Sequence, residues 1–302
     1  MKYFQIHESS PGFVQLGAGP KGLKEVMTDE TFCQFERLLS KSRHKNLRWL
    51  NPKAVNEWLQ KVARKALPSI PKRVEMEDST RRKIKKVDIE QNGPALTFKL
   101  ALSNNHRVDL DLVPVFAFRR RRARKLSVRH NIINPQWLRQ NGCHAKSYRI
   151  DVQEGLLSPF FVIPKSGPHE LDWGIHFPSA EKKIIKNLAC VKPVIRYLKH
   201  FRDNHEILSN VKSYALLTIV MKMIRNHNPT FWNQNTSKCL LAALRELACA
   251  MENGVLGWFF QENCNILPAK YYSLERRRKI VTFLKTAILD LESDHTLWHR
   301  YL

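Results

Sequence analysis

The sequence predicts an α+β fold, in which a strand-rich first part is followed by a helix-rich second part. Alternating apolar runs at 95–100 and 108–118 flank the turn residues 103–105, and a similar pair of runs over 3–16 surrounds Pro11 and Gly12. After Gly167 and Pro168, apolar residues recur at helical spacing in 181–188, 192–202, 209–226, 237–253 and 274–291. Strands followed by helices indicate two regions, 1–166 and 167–302.

The composition is globular and strongly basic. The 302 residues include 51 Lys or Arg and 27 Asp or Glu, which gives a formal net charge of +24. Hydrophobic residues make up 43% of the chain, which excludes wholesale disorder. The charge favours a phosphate polymer as partner, because Lys and Arg that neutralise phosphates release counterions. An anionic membrane surface, or no polyanionic partner at all, remains an alternative.

Several common sites are not indicated. The six Cys are scattered without a C-x-x-C pair, so we expect reduced thiols in a cytoplasmic protein and no structural zinc. The longest apolar run, 214–220, is too short to cross a bilayer, and the first residues do not read as a signal peptide. The run 17–22 matches G-x-G-x-x-G, but Pro20 and the lack of a following parallel strand favour a turn over a dinucleotide site.

Two acidic residues in one run are the most informative polar feature. Asp109 and Asp111 are two positions apart in 108–114, so a strand places both side chains on one face. Carboxylates placed this way hold Mg²⁺ beside phosphates, or they point into water from an edge strand. The pattern alone favours neither interpretation.

Three basic segments are candidates for contact with a polyanion. Amphipathic helices are predicted over 31–42 and 52–67, and the second carries a basic face opposite its apolar side. The runs 81–86 and 119–125 are dense in Lys and Arg. For 119–125 a nuclear-localisation tract, a phosphate-binding patch and a solvated loop all remain open.

Four segments, 92–116, 160–165, 173–182 and 213–218, resemble in order the motifs of cyclic GMP-AMP synthase and its animal relatives. Residues 92–97 and 108–116 resemble the catalytic-strand hairpin of that family, and 160–165 resembles its aromatic-x-V/I-P-K strand. Residues 173–182 are similar to its W-x-x-S-F-S-x-x-E-K segment, and 213–218 to its S-Y-H-x-K-T helix. Without an inserted Cys/His zinc element, the chain most resembles the insect cyclic GMP-AMP synthase-like receptors, members of which sense double-stranded RNA.

The resemblance implies a bilobal nucleotidyltransferase fold, with a mixed β-sheet lobe followed by a helical lobe. It also implies an enzyme that uses Mg²⁺ or Mn²⁺ for phosphoryl transfer. Asp111 would be the third carboxylate, which holds metal and helps to activate the acceptor hydroxyl. The residues implied at GTP are Asp111, Gly174, Ile175, His176, Phe177, Pro178, Ser179, Ala180 and Glu181. Those implied at ATP are Pro178, Ser179, Ala180, Glu181, Arg196, Lys199, Ser213, Tyr214 and Leu217. Lys61, Arg64 and Lys65 would meet double-stranded RNA.

The implied function is synthesis of cyclic GMP-AMP from ATP and GTP on binding double-stranded RNA, in innate antiviral signalling. A STING-type receptor would read the product, no membrane would be involved, and a dimer on the ligand is one option. The Gly-Ser and E-x-D motifs of the family would precede Lys2 and are not in this sequence. We therefore expect an incomplete gene model, with a catalytically inactive nucleic-acid or protein interaction module as the alternative. Gly174, Pro178 and Leu217 replace residues common in the family, which leaves the linkage of the product open.

Overall fold

The fold is that of a computed structural model, which describes residues 4–18, 33, 35–40, 48–71, 73–75, 81–118, 159–165, 167–186, 188–267, 269 and 271–302. The chain divides into two compact units. The sheet unit holds the described residues of Met1–Arg119 and Pro159–His176, and the helical unit holds those of Phe177–Leu302. This arrangement confirms the predicted α+β fold, in which strands are followed by helices. The predicted boundary between 166 and 167 stays a prediction.

The sheet unit contains two antiparallel sheets. Its strands are β1 (Phe4–Ser10), β2 (Phe13–Ala18), β3 (Leu39–Ser40), β4 (Arg48–Leu50), β5 (Arg73–Glu75), β6 (Arg81–Asn92), β7 (Ala95–Leu102), β8 (Arg107–Leu112), β9 (Phe116–Phe118), β10 (Phe160–Ile163) and β11 (Trp173–His176). The larger sheet has the order β3-β4-β2-β11-β10-β9, and β1 also pairs with β2. The smaller sheet has the order β5-β6-β7-β8, so β8 is an edge strand among the described residues. Both predicted hairpins, β1–β2 and β7–β8, are confirmed.

The indole of Trp173 lies at the centre of the larger sheet. Its side chain is fully buried, and its Nε1 donates a hydrogen bond to the Leu50 carbonyl oxygen at 3.0 Å. The ring of Phe116 meets it edge-on, with 5.3 Å between the ring centroids. Trp173 therefore joins β4, β9 and β11 through one side chain.

Helix α1 (Pro52–Ala66) confirms the helix predicted over 52–67. Its start is determined locally, because the Asn51 side chain accepts hydrogen bonds from the backbone N–H groups of Lys53 and Ala54 and Pro52 takes the first helical position. Its buried residues are Pro52, Val55 and Ala63. The basic residues of the opposite side remain exposed.

The helical unit is built from α2 (Pro178–Ile184), α3 (Val191–Asn204), α4 (Ser213–Asn226), α5 (Thr236–Asn253), α6 (Leu274–Ser293) and α7 (Trp298–Tyr301). A short hairpin of β12 (Gly257–Trp258) and β13 (Gln261–Asn265) separates α5 from α6. The five predicted helices are confirmed with shifted ends. The first of them begins at Pro178 rather than 181, because proline favours the first position of a helix.

No helix in the described ranges has both the length and the apolar character that a membrane crossing requires.

Three local predictions were wrong or incomplete. The helix predicted over 31–42 does not extend through Leu39 and Ser40, which pair with β4 as β3. The strand predicted over 108–118 is interrupted around Pro114, so β8 belongs to the smaller sheet and β9 to the larger one. Strand β6 was missed because its first residues are mainly Lys and Arg. The basic run 119–125 and most of the glycine-rich run 17–22 lie outside the described residues.

We predict that Gly254→Ala destabilises the helical unit by about 2 kcal/mol. Gly254 follows α5 with a φ of 69°, a left-handed conformation that costs a residue with a Cβ about 1 kcal/mol. The added Cβ would lie 2.5 Å from Nη1 of Arg277, which donates to the carbonyl oxygens of Met251 and Glu252. Displacing the guanidinium breaks these bonds at a cost of about 1 kcal/mol. Urea unfolding followed by circular dichroism measures the change.

The Arg277→Ala background separates the two causes. The clash is absent there, so Gly254→Ala should cost only the backbone contribution of about 1 kcal/mol. An equal cost in both backgrounds would show that Arg277 plays no part in the requirement for glycine.

Candidate functional site

Asp111 is held at the surface of the sheet unit by a buried threonine. On the hairpin of β7 and β8, Asp111 lies directly opposite Thr97, and the Thr97 hydroxyl donates to Oδ1 of Asp111 at 2.6 Å. Thr97 is only 4% exposed, whereas Asp111 is exposed. Asp109 is exposed on the same strand, opposite Lys99. Both Asp residues therefore reach water from an edge strand, and the hydroxyl restricts the orientation of only one of them.

The donor set around Asp111 fits part of a divalent-metal site. Thr97 uses one lone pair of Oδ1, so Asp111 keeps Oδ2 for a cation. Mg²⁺ takes oxygen ligands, commonly one or two carboxylates together with phosphates and water. Within the described ranges, no group of three or more His, Cys, Asp or Glu residues could hold a metal ion. Asp111 can thus serve as one ligand, and the described residues do not complete a site.

Strand β11 places the first residues of the predicted guanine-nucleotide segment. Gly174 and Ile175 are buried and pair with β10. A Cβ on Gly174 would lie 3.1 Å from the Cβ of Lys165, so the stem of Lys165 covers Gly174. Burial, and to a lesser extent the charge of Lys165, lowers the pKa of His176 to about 4. His176 is therefore neutral at pH 7, and Lys165 supplies the positive charge beside this part of β11.

The segment continues through Phe177 into α2. Phe177 and Ala180 are 1% and 0% exposed, and the Phe177 ring packs against Phe260 with centroids 4.9 Å apart. Their side chains belong to the core of the helical unit, so any contact with a nucleotide would have to come from their backbone. Pro178 and Ser179 form the partly exposed first turn of α2. The predicted contacts of all four residues stay predictions.

Glu181, Tyr214 and Trp258 form a hydrogen-bonded chain in the helical unit. The Tyr214 hydroxyl donates to Oε1 of Glu181 at 2.6 Å, and Nε1 of Trp258 donates to the Tyr214 hydroxyl oxygen at 2.8 Å. Burial raises the pKa of Glu181, although the bond from Tyr214 opposes the shift. Burial, followed by the neighbouring Glu181, raises the pKa of Tyr214, which therefore stays protonated. The chain fixes the Tyr214 side chain at its hydroxyl end.

Sequence reasoning identified Glu181 and Tyr214 but missed Trp258. The aromatic run Trp258-Phe259-Phe260 is visible in the sequence, yet no spacing rule connects it to a residue 44 positions earlier. The contact arises because Trp258 on β12 packs against Phe177, next to α2, and reaches Tyr214 on α4.

The remaining predicted nucleotide residues lie on α3 and α4. Arg196 is exposed and Lys199 is half-buried on α3, while Leu217 is half-buried on α4, one turn after Tyr214. Ser213 begins α4, and its Oγ accepts a hydrogen bond from Nη1 of Arg202 at 2.7 Å. Arg202 is a further cation beside Ser213 that the sequence motifs did not assign.

The three residues predicted to meet RNA are exposed on one side of α1. Lys61, Arg64 and Lys65 are separated by three and one positions, which places them on adjacent turns of one helix face. Within the part of the chain that the structure describes, none of them forms an ion pair. Their charges are therefore available to an external anion.

We predict that Tyr214→Phe destabilises the helical unit more at pH 7 than at pH 4, by about 1 kcal/mol. The lost hydrogen bond lowers the pKa of Glu181, so its removal raises that pKa further in the folded state. A carboxyl group with a raised folded-state pKa makes stability fall as pH rises above its ordinary value of 4.5. Below that value Glu181 is protonated in both states, and only a neutral hydrogen bond is lost. Urea unfolding at the two pH values measures the difference.

Tyr272→Phe is the matched control. The Tyr272 hydroxyl donates to the backbone carbonyl oxygen of Asn210 at 2.8 Å, an acceptor that does not titrate. Its loss should cost the same at both pH values. An equally pH-independent cost for Tyr214→Phe would contradict the assigned role of the Glu181 carboxylate.

Two family models match the chain. The Mab-21 protein nucleotidyltransferase domain matches residues 5–187, which is more than half of the chain. The Mab-21 protein HhH/H2TH-like domain matches residues 190–286.

Insect proteins described as cyclic GMP-AMP synthase-like receptors are similar over nearly the whole chain. The relative from Aethina tumida is 24% identical over 294 residues, covering 95% of this chain and 66% of the relative. The relative from Microplitis demolitor is 23% identical over 313 residues, covering 98% and 51%. The relative from Ctenocephalides felis is 21% identical over 311 residues, covering 97% and 66%. The chain thus spans between about half and two thirds of the length of these relatives.

The resemblance recognised from the four motifs is confirmed by these matches, which cover both the sheet unit and the helical unit. The chain belongs to the Mab-21 family, with a nucleotidyltransferase domain followed by an HhH/H2TH-like domain.

Proposed function

We propose that this chain is part of an enzyme that joins ATP and GTP into cyclic GMP-AMP when double-stranded RNA binds, in innate antiviral signalling. The observation that carries the proposal is the exposed Asp111 carboxylate, which Thr97 orients on β8. The match to the Mab-21 nucleotidyltransferase domain and the naming of the insect relatives support it. A cytoplasmic location and a STING-type receptor for the product complete the proposal, with assembly of two protomers on the RNA as an option.

Asp111 would act as a ligand of Mg²⁺ or Mn²⁺ through the oxygen that Thr97 does not engage. Such an ion neutralises charge on a triphosphate and promotes deprotonation of the attacking hydroxyl. The role of Thr97 is to restrict the carboxylate before the ion arrives, which reduces the entropy lost on binding.

The helical unit would supply nucleotide contacts of two kinds. Ser213 would offer its hydroxyl to phosphate oxygens, and Arg202, which also pairs with Asp203, would hold that hydroxyl in place. Tyr214 would stack on a base, with its hydroxyl already fixed by Glu181 and Trp258. We also propose that 174–181 follows the guanine nucleotide and that Arg196 and Lys199 meet phosphate.

The basic face of α1 would bind the RNA. Double-stranded RNA is recognised through its A-form shape and its phosphates, because its deep major groove hides the base edges. Lys61, Arg64 and Lys65 offer three unpaired cations on a rigid helix, which suits this kind of contact.

A second candidate is a non-catalytic interaction module with the same fold. The observation that favours it is that Asp109 and Asp111 do not belong to a larger cluster of metal ligands within the described ranges. Incubation of the purified protein with ATP, GTP, Mn²⁺ and long duplex RNA, followed by mass measurement of the products, separates the two. A cyclic dinucleotide supports the enzyme, and RNA binding without any product supports the module.

We predict that Asp111→Asn lowers formation of the nucleotide product by about a hundredfold or more while leaving duplex binding unchanged. The amide removes the negative charge that a divalent ion needs but keeps an oxygen for the Thr97 hydroxyl. Product formation is measured by mass spectrometry and duplex binding by fluorescence anisotropy.

Asp109→Asn is the control for Asp111→Asn. It removes the same charge from the same exposed face, two residues away and without a threonine opposite. We expect it to retain most of the activity. If Asp111→Asn retained turnover, or if both variants lost it equally, the role assigned to Asp111 would be wrong.

Replacing Lys61, Arg64 and Lys65 together by Glu should weaken duplex binding and RNA-stimulated activity in parallel. Each lost phosphate contact should also reduce the slope of log affinity against log salt by about 0.9. Anisotropy titrations at several salt concentrations measure both effects.

A control triple change of Lys238, Arg278 and Lys279 to Glu alters the net charge of the protein equally, at exposed positions of the helical unit. It should leave most of the affinity and nearly all of the salt dependence intact. Equal losses in the two triple variants would mean that net charge, rather than the face of α1, governs binding.

A further inference from the structure

The sheet unit contains a cavity beside the proposed RNA-binding face of α1. Its volume is about 400 Å³, within the range of about 300–1,000 Å³ typical of small-ligand pockets. We call it the Trp58 groove, and the lining residues that matter here are Arg37, Glu57, Trp58, Lys61, Val62 and Lys65. Two of the cations, Lys61 and Lys65, also belong to the proposed RNA-binding face.

The apolar part of the groove is an indole that faces solvent. Trp58 is 44% exposed, and Val62, one turn later on α1, is 43% exposed. The buried residues of the helix are Pro52, Val55 and Ala63, whereas nearly half of each of these two side chains remains accessible to an external partner. No aromatic ring or cation stacks on Trp58 within the described ranges. A large exposed aromatic in a concave site is typical of a binding surface.

The rim of the groove is positively charged. Arg37, Lys61 and Lys65 contribute three cations, and Glu57 contributes one anion. The nearby Glu36 is paired with Arg48, so it does not offset these cations. An occupant should therefore be anionic and carry an apolar surface that can cover an indole.

We propose that the Trp58 groove binds an unpaired nucleotide, with its base stacked on Trp58 and its phosphates against Arg37, Lys61 and Lys65. Proteins that bind single strands combine a basic groove with aromatic side chains in this way. A duplex keeps its bases stacked inside the helix and cannot fill such a cavity, whereas a single-stranded overhang can. A membrane surface would be met better by a protruding apolar ridge than by a concave groove.

This proposal rests on the RNA-binding face proposed for α1 and extends it to the end of a duplex. The phosphates of the paired region would meet the exposed face of the helix, and the first unpaired base would enter the groove. An overhang should therefore add affinity to that of the duplex, by about tenfold for one well-stacked base.

The test compares a blunt duplex RNA with the same duplex carrying a short 3′ adenosine overhang, by fluorescence anisotropy with the purified protein. We expect the wild type to bind the overhang probe about tenfold more tightly. Trp58→Ala should lose this gain but bind the blunt duplex normally, and Trp58→Phe should keep most of it. Tyr197→Ala is the matched control, because Tyr197 is also 44% exposed but lies on α3. Thermal unfolding verifies that each variant is folded.

Equal affinity of the wild type for the two probes would overturn the groove proposal without affecting the duplex-binding face. A gain that persists in Trp58→Ala would overturn it as well. If neither duplex binds, the proposed RNA sensing fails, and the groove proposal is then tested with a single-stranded adenosine oligonucleotide. Oligonucleotide binding that requires Trp58 would support the groove proposal, and no binding would overturn it. The groove proposal would also be overturned if the protein bound polyglutamate or anionic vesicles through Trp58 but did not bind the oligonucleotide.

Discussion

The sheet unit depends on one buried indole. Trp173 is inaccessible to solvent, and its N–H would be left without an acceptor if the Leu50 carbonyl oxygen were not 3.0 Å away. A buried donor without a partner costs about 1–3 kcal/mol, so this bond, which reaches from β11 past β2 to β4, strongly favours the observed position of β11 in the sheet. The same strand carries Gly174 and His176 and leads directly into Phe177. The position of Trp173 therefore determines where the predicted guanine-nucleotide segment begins.

Local chemistry made part of this fold predictable. Asn51 and Pro52 mark the start of α1, and the alternation of 108–112 places Asp109 and Asp111 on one face. The predictions of local structure were wrong where a strand forms by pairing with a segment that is distant in the sequence. Leu39 is extended because Leu50 lies opposite it, and the charged residues of β6 form a strand because β7 pairs along it.

The same distinction applies to the candidate site. Strand alternation left open whether Asp111 binds Mg²⁺ or only points into water. The family resemblance, rather than the pattern, favoured its role as a metal ligand. The bond from Thr97 could be anticipated only once the hairpin register was known. The contacts of Tyr214 with Trp258 and of Ser213 with Arg202 join different elements of the helical unit, so no local pattern predicts them.

In the sheet unit the exposed cations Lys61, Arg64 and Lys65 lie on α1, whereas the carboxylates of Asp109 and Asp111 lie on β8. This separation is consistent with one surface for a polyanion and another for a divalent cation. The most direct test is anomalous diffraction from crystals soaked with Mn²⁺ and a non-hydrolysable nucleotide. We expect a manganese peak in contact with the Asp111 carboxylate while the Thr97 hydroxyl remains bonded to its other oxygen. Bound nucleotide with manganese held elsewhere, and no metal at Asp111, would contradict the proposed role of this residue.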